Sequence, residues 1–246
     1  MVMKFSISRF NPERDQRPYM QAYEIALTDG DHMLLDVLLR LKGQDNSLTM
    51  RKSCREGVCG SDAMNINGRN GLACITPVAS LTEPVVLRPL PGFPVIRGLV
   101  VDMTNFFKQY HSVNPVLENQ EPSPEKERLQ SPEERERLNG AYECILCGCC
   151  SSQCPSYWWN PDKFVGPAGL LQAYRFIVDS RDRATPARLE NLSGAYRLFR
   201  CRTIMNCAEV CPKGLEPSHA IEKIRQTMLG LGPSRGALDI HQPPVY

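Results

Sequence analysis

Two stretches constrain this chain more than anything else in it: CILCGCCSSQCP at residues 144–155 and CRTIMNCAEVCP at residues 201–212. The first sets Cys144, Cys147, Cys150 and Cys154 at CxxCxxCxxxC spacing with Pro155 behind them. The second keeps Cys201, Cys207, Cys211 and Pro212 in register, but Ile204 stands where the second cysteine would be. Thiolates at this spacing are the ligands of cubane iron-sulfur clusters. One close run cannot wrap all four corners of a cubane, so where two runs occur the fourth cysteine of each reaches across to the other cluster. The rule assigns Cys144, Cys147, Cys150 and the distant Cys211 to a [4Fe-4S] cluster. Cys154, Cys201 and Cys207 remain, and because Ile204 cannot ligate iron, three thiolates fit a cubane lacking one iron, [3Fe-4S]. Cys149 lies outside both frames and reads as a small buried residue or a bystander thiol, with no metal assigned to it. Zinc also takes CxxC pairs, but zinc motifs seldom interleave two such frames.

A further cysteine frame lies earlier, in CREGVCGSDAMNINGRNGLAC: Cys54, Cys59 after four residues, and Cys74 further on. The plant-type [2Fe-2S] frame is Cx4Cx2C with a distant fourth cysteine. Asp62 occupies the third position, and a carboxylate is a competent ligand for ferric iron. The other reading of Asp62 is a loop cap, with water or another residue completing the iron. Gly57 and Gly60 suit a loop whose backbone comes close to a cluster.

Around these frames the chain divides in character. KFSISRF and YMQAYEIAL are β-rich runs separated by NPERDQRP, which predicts an antiparallel hairpin. A helix should follow, with Asp31 as N-cap, an apolar stripe at Leu34, Leu35, Leu38 and Leu39, and Gly43 beyond its end. Strands are expected at AMNIN and LACIT, joined by a GRNG turn, and then at EPVVLRPL. That order is β-grasp. Residues 1–104 form this domain. Residues 105–246 should be helical: a solvated linker over residues 118–137 turns into a helix with a capping box at Ser131, Pro132 and Glu134. Apolar stripes follow at Leu170, Leu171, Tyr174, Ile177 and Val178, and at Ile221, Ile224 and Met228. The end, LGPSRGALDIHQPPVY, is Gly/Pro-rich and reads as extended, or disordered in isolation. The fold class is thus α+β, an N-terminal β-grasp plant-type ferredoxin domain plus a C-terminal all-α bacterial-ferredoxin-like domain.

The formal charge of +2 and the lack of a basic block argue against nucleic acid as a partner. MVMKFSISRF lacks the apolar core of a signal peptide, so the eleven cysteines are expected to stay reduced. No apolar run is long enough to span a bilayer, and the chain by itself is expected to be soluble. His32, His111, His219 and His241 are scattered, no general base pairs with a nucleophile, and no GxGxxG follows a predicted strand. Three clusters of different types without a substrate site imply an electron relay fed by a partner.

SCREGVCGSDAMNINGRNGLACITP, CILCGCCSSQCPSYWWNPDKFVGPAGLLQAYRF and FRCRTIMNCAEVCPKGL together resemble the iron-sulfur subunit of succinate dehydrogenases, the respiratory complex II family. The resemblance covers nearly the whole chain. It implies electrons passing from an FAD-bearing flavoprotein subunit, which oxidises succinate to fumarate, through [2Fe-2S], [4Fe-4S] and [3Fe-4S] to ubiquinone. It also implies membrane anchor subunits, often with haem b, holding this chain at the cytoplasmic face of a bacterial inner membrane. The family's quinone pocket maps onto Pro155, Ser156, Trp159 and Ile204, while Trp158 reads as packing. Arg202 departs from the histidine that several relatives carry after the first [3Fe-4S] cysteine. A fumarate reductase subunit running the same relay in reverse is the alternative.

Overall fold

The computed structural model describes residues 2–230, so the expectation for LGPSRGALDIHQPPVY lies outside the described residues. The described chain forms two compact units. The first contains residues 2–103 together with Ile145–Gln153, and the second contains Thr104–Cys144 and residues 154–230.

In the first unit, β1 (Val2–Arg9) and β2 (Tyr19–Ala26) pair antiparallel as the sequence predicts. Helix α1 (Leu34–Gln44) follows, then β3 (Ala63–Ile66), β4 (Arg69–Leu72) and β5 (Val85–Arg88). The sheet order is β2-β1-β5-β3-β4, with β5 parallel to β1. This is the mixed β-grasp sheet. Alternation in β1 sends Met3, Phe5 and Ile7 to one face, where they are buried with Leu34, Leu35, Val37, Leu38 and Leu41 of α1. Each such side chain contributes roughly 1.5–3 kcal/mol by leaving water. A small hairpin, β6 (Val95–Arg97) and β7 (Val100–Val101), completes the unit's strands among the described residues.

Three local expectations are corrected. Met33, rather than Asp31, precedes α1, because the Asp31 carboxylate is engaged by Thr28 N–H at 2.7 Å and by Arg40. Gly43 lies inside the helix, whose C-cap is Asp45. The β3–β4 turn is Asn67-Gly68, both at positive φ (49° and 89°), the left-handed pair that a two-residue hairpin requires, and it precedes most of GRNG. LACIT accordingly supplies only the end of β4, and Ala73–Ile75 is a 3₁₀ turn.

The second unit is helical. Its long helices are α2 (Thr104–His111), α3 (Gly166–Ile177), α4 (Thr185–Leu192) and α5 (Pro217–Met228). Leu170, Leu171, Tyr174 and Phe176 of α3 are buried, as are Ile221 and Ile224 of α5, which packs on it, whereas Ile177, Val178 and Met228 are only partly buried. The capping box forms at Pro132–Glu136: Ser131 Oγ accepts Glu134 N–H, and Glu134 accepts Ser131 N–H at 2.9 Å. The cysteine runs combine irregular turns with two four-residue helices, Cys149–Ser152 and Asn206–Glu209.

Candidate iron-sulfur sites

In the first unit the segment from Cys54 to Cys59 is a loop without helix or strand, and it turns its amides on a sulfur. Cys54 Sγ accepts N–H groups from Cys59 at 3.2 Å, Val58 at 3.4 Å and Glu56 at 3.5 Å, and Cys59 Sγ accepts that of Cys54 at 3.5 Å. Such bonding favours anionic sulfur. The curl requires Gly57 at φ +72°, where a Cβ would stand 2.9 Å from Ile75. Gly60, at φ +67°, lies so close to Cys147 that a Cβ would be 2.9 Å from its Cα.

Asp62 is 2% exposed. Its Oδ2 accepts the Cys74 N–H at 2.6 Å, while Oδ1 is buried with no hydrogen-bond partner. A buried carboxylate oxygen without a donor is costly unless a cation meets it. Burial, followed by the Asp62 carboxylate, pushes the Cys74 thiol up to about 12, whereas a hydrogen bond from Ser61 brings Cys59 down to about 7. A ferric centre would supply the positive charge that Cys74 and Asp62 lack. The donor set therefore fits a [2Fe-2S] cluster, and the carboxylate is placed where the cysteine frame leaves a gap.

In the second unit Cys154, Cys201 and Cys207 line one narrow cavity of about 20 Å³, together with Pro155, Ser156, Arg202 and Ile204. Burial, followed by the negative potential of Cys154 and Cys201, pushes Cys207 up to about 12, so the three sulfurs influence one another. Thr203 N–H points to Cys201 Sγ at 3.4 Å. The Ser156 hydroxyl oxygen is fully buried with no hydrogen-bond partner. This set fits an iron-sulfur group, whose iron would offset the crowded thiolates and whose sulfides accept hydrogen bonds. Trp159 is not among the cavity's lining residues; it is 61% exposed, with the Arg200 guanidinium 5.7 Å from its ring. Trp158 is 41% exposed, which corrects the expectation that it packs inside.

Cys144 and Cys211 belong to the second unit, and Cys147 and Cys150 to the first. Cys149 is fully buried, in accord with its reading as a small interior residue. Among the described residues, no three His, Cys, Asp or Glu side chains close around a single metal ion. A cluster makes a different demand, because iron and sulfide atoms that the polypeptide does not supply stand between its thiolates.

The two cysteine runs share their backbone as well as their spacing. Leu146 (φ 53°) and Gly148 (φ 82°) follow Cys144 by two and four positions, and Thr203 (φ 55°) and Met205 (φ 70°) follow Cys201 in the same way. Each run then enters a four-residue helix, Cys149–Ser152 or Asn206–Glu209, capped by that second left-handed residue. Ile204 therefore holds the backbone position that Cys147 holds in the other run. Sequence spacing revealed the alignment of the two runs, but not that Met205 adopts a conformation its counterpart reaches as glycine.

A β-grasp unit with a thiolate-and-carboxylate loop, a helical unit, and two cysteine runs that share one backbone turn define an iron-sulfur protein of ferredoxin type. The chain matches the 2Fe-2S iron-sulfur cluster binding domain family over residues 4–108 and the 4Fe-4S dicluster domain family over residues 143–216. It is 60% identical over 228 residues to the succinate dehydrogenase iron-sulfur subunit of Coxiella burnetii, covering 92% of this chain and 97% of the relative. It is 51% identical over 229 residues to the mitochondrial succinate dehydrogenase [ubiquinone] iron-sulfur subunit 1 of Oryza sativa subsp. japonica, covering 92% and 82%. A chain of the Mycobacterium smegmatis Sdh1 complex in the apo form superposes with a TM-score of 0.84 at 25% identity, covering 94% of this chain and 96% of that one. The chain belongs to the succinate dehydrogenase iron-sulfur subunit family.

Proposed function

We propose that this chain is the electron relay of a succinate:quinone oxidoreductase, with Cys54, Cys59, Asp62 and Cys74 holding [2Fe-2S]. On this reading Cys144, Cys147, Cys150 and Cys211 hold [4Fe-4S], and Cys154, Cys201 and Cys207 hold [3Fe-4S]. The domain division is 1–104 for the first cluster and 105–246 for the other two. Bound clusters supply one-electron carriers of graded potential. The chain's residues hold them and set their environment: amides at Cys54 and Cys59 favour anionic sulfur, Asp62 adds an oxygen ligand, and Ile204 leaves one corner without a thiolate. The observation that carries the reading is the shared backbone of the two cysteine runs, with Ile204 in the place of a ligand.

Electrons enter from a flavoprotein subunit carrying FAD, where succinate becomes fumarate, and leave to ubiquinone beside Pro155, Ser156, Trp159, Arg202 and Ile204. The Trp159 indole N–H is a donor on a rigid ring, suited to a quinone oxygen. Arg202 keeps a fixed positive charge where a titrating histidine would change its own. Among the described residues no helix is long and apolar enough to cross a membrane. On the same reading, anchor subunits, with or without haem b, hold the chain at the cytoplasmic face of the inner membrane.

Affinity purification of the chain from native membranes tests the reading. A flavoprotein and anchors should co-purify with succinate:quinone activity, and the oxidised complex should give a three-iron paramagnetic signal. Recovery at full abundance as a free monomer would overturn it. Fumarate reduction as the faster direction with the native quinone would favour the reverse relay.

A further inference from the structure

Most donors to the sulfurs of the Cys54–Cys59 loop are backbone amides, but one contact comes from a side chain. Ser61 Oγ lies 3.1 Å from Cys59 Sγ. Between a hydroxyl and a thiol either atom could donate. A cysteine that holds iron is a thiolate with no proton to give, so the donor in the loaded protein is Ser61. Its backbone is pinned on both sides. Gly60 abuts Cys147, and Asp62 accepts the Cys74 N–H at 2.6 Å.

We propose that the Ser61 hydroxyl is a positioning residue for the relay that raises the reduction potential of the [2Fe-2S] cluster by donating to the Cys59 thiolate. The inference rests on the reading that Cys54, Cys59, Asp62 and Cys74 hold that cluster. Reduction, with the flavoprotein subunit as donor, adds one electron and no proton. The added negative charge is shared with the cysteine sulfurs, so a donor on Cys59 Sγ binds the reduced state more strongly than the oxidised one. The Ser61 proton stays on Oγ throughout. Replacing the side chain removes this donor and leaves the amide donors in place. It thereby separates the hydroxyl's effect from that of the loop.

The test uses Ser61→Ala, Ser61→Val and Ser61→Thr in the purified membrane complex, with redox titration of the reduced [2Fe-2S] paramagnetic signal, iron content and visible spectra. Val is close in shape to Thr without its hydroxyl, and it keeps out a water that could replace the hydroxyl in the Ala variant. Ala and Val should lower the reduced-to-oxidised ratio at fixed potential about tenfold, a shift of about 59 mV for one electron. Thr should match wild type, and iron content should be unchanged in all three. An unchanged midpoint in Ala and Val with the cluster present would overturn the proposal. Loss of the cluster in both Ala and Val, with Thr intact, would also overturn it by making the hydroxyl a requirement for assembly. A wild-type complex lacking any [2Fe-2S] signal would instead remove the ligand reading beneath it.

Discussion

Ile204 shows how much one side chain can decide when the backbone around it is already set. Thr203 and Met205, on either side of it, are held in the left-handed region that Leu146 and Gly148 occupy around Cys147. A non-glycine residue there costs roughly 1–2 kcal/mol. A thiolate introduced at 204 would thus emerge from a turn already shaped for a ligand. Ile204→Cys should convert the proposed three-iron centre toward [4Fe-4S], lower its potential and slow succinate:quinone turnover. Succinate oxidation by a dye that accepts electrons upstream should suffer less. Paramagnetic resonance of the oxidised complex checks this: persistence of an undiminished three-iron signal in the variant would defeat the expectation. That Ile204 interrupts the run was legible in the sequence, because the cysteines of such runs recur at fixed spacing. The strain at Met205 was not, since nothing in its identity announces a positive φ.

At the scale of elements, two charge networks, one buried and one half-buried, fix loops to helices, and neither was legible in the sequence. Arg188 of α4 is 4% exposed in its side chain and pairs with the fully buried Asp182 carboxylate at 2.7 Å. Its guanidinium also donates to the carbonyls of Asn114 at 2.7 Å and Val116 at 2.6 Å, and Asp182 accepts the Glu118 N–H at 2.9 Å. Arg188 and Asp182 are near in sequence, but the backbone groups of Asn114, Val116 and Glu118 that they bind are distant from them, so no spacing rule picks the network out. Arg188→Ala would strand a buried carboxylate, and thermal unfolding should show a loss of about 3–5 kcal/mol. In the first unit, Asp45 at the end of α1 accepts hydrogen bonds from Ser47 (2.5 Å), Tyr23 (2.7 Å) and Arg9 (2.8 Å). The Ser47 hydroxyl, then Tyr23 and Arg9, hold its carboxyl well below the usual carboxylate range. Because the folded-state value is depressed, the contribution is present above the unfolded value of about 3.9 and is lost as pH falls toward the folded one. Urea unfolding below pH 5 should therefore show a shallower pH dependence in Asp45→Asn than in wild type. The variant should also be less stable at neutral pH, and equal slopes would contradict this.

Across the whole molecule, the sequence disclosed chemistry more readily than assembly. Cysteine spacing, the β-rich run order and the capping box at Ser131 are local patterns with local causes, and the structure carries them. That Ile145–Gln153 groups with residues 2–103 was hidden, because it depends on contacts between stretches distant in sequence, such as Gly60 against Cys147. Side-chain exposure in the second unit was equally hidden, since apolar residues beside a cysteine turn read alike whether covered or bare. Trp159, Met205, Ile204 and Phe199 are 61%, 54%, 46% and 43% exposed in this chain by itself. Scattered exposed apolar side chains are ordinary, but several large ones on segments that flank a proposed electron exit are expected to meet a partner. Hydroxyl-radical footprinting reads this directly, because Trp and Met oxidise readily and modification follows solvent access. Trp159 and Met205 should be modified severalfold less in the membrane-bound complex than in the chain expressed alone. Met20, 40% exposed on β2 in the first unit, serves as an internal comparison. Equal modification of Trp159 and Met205 in both preparations, with succinate:quinone activity intact, would mean that the quinone-side partners do not cover this face.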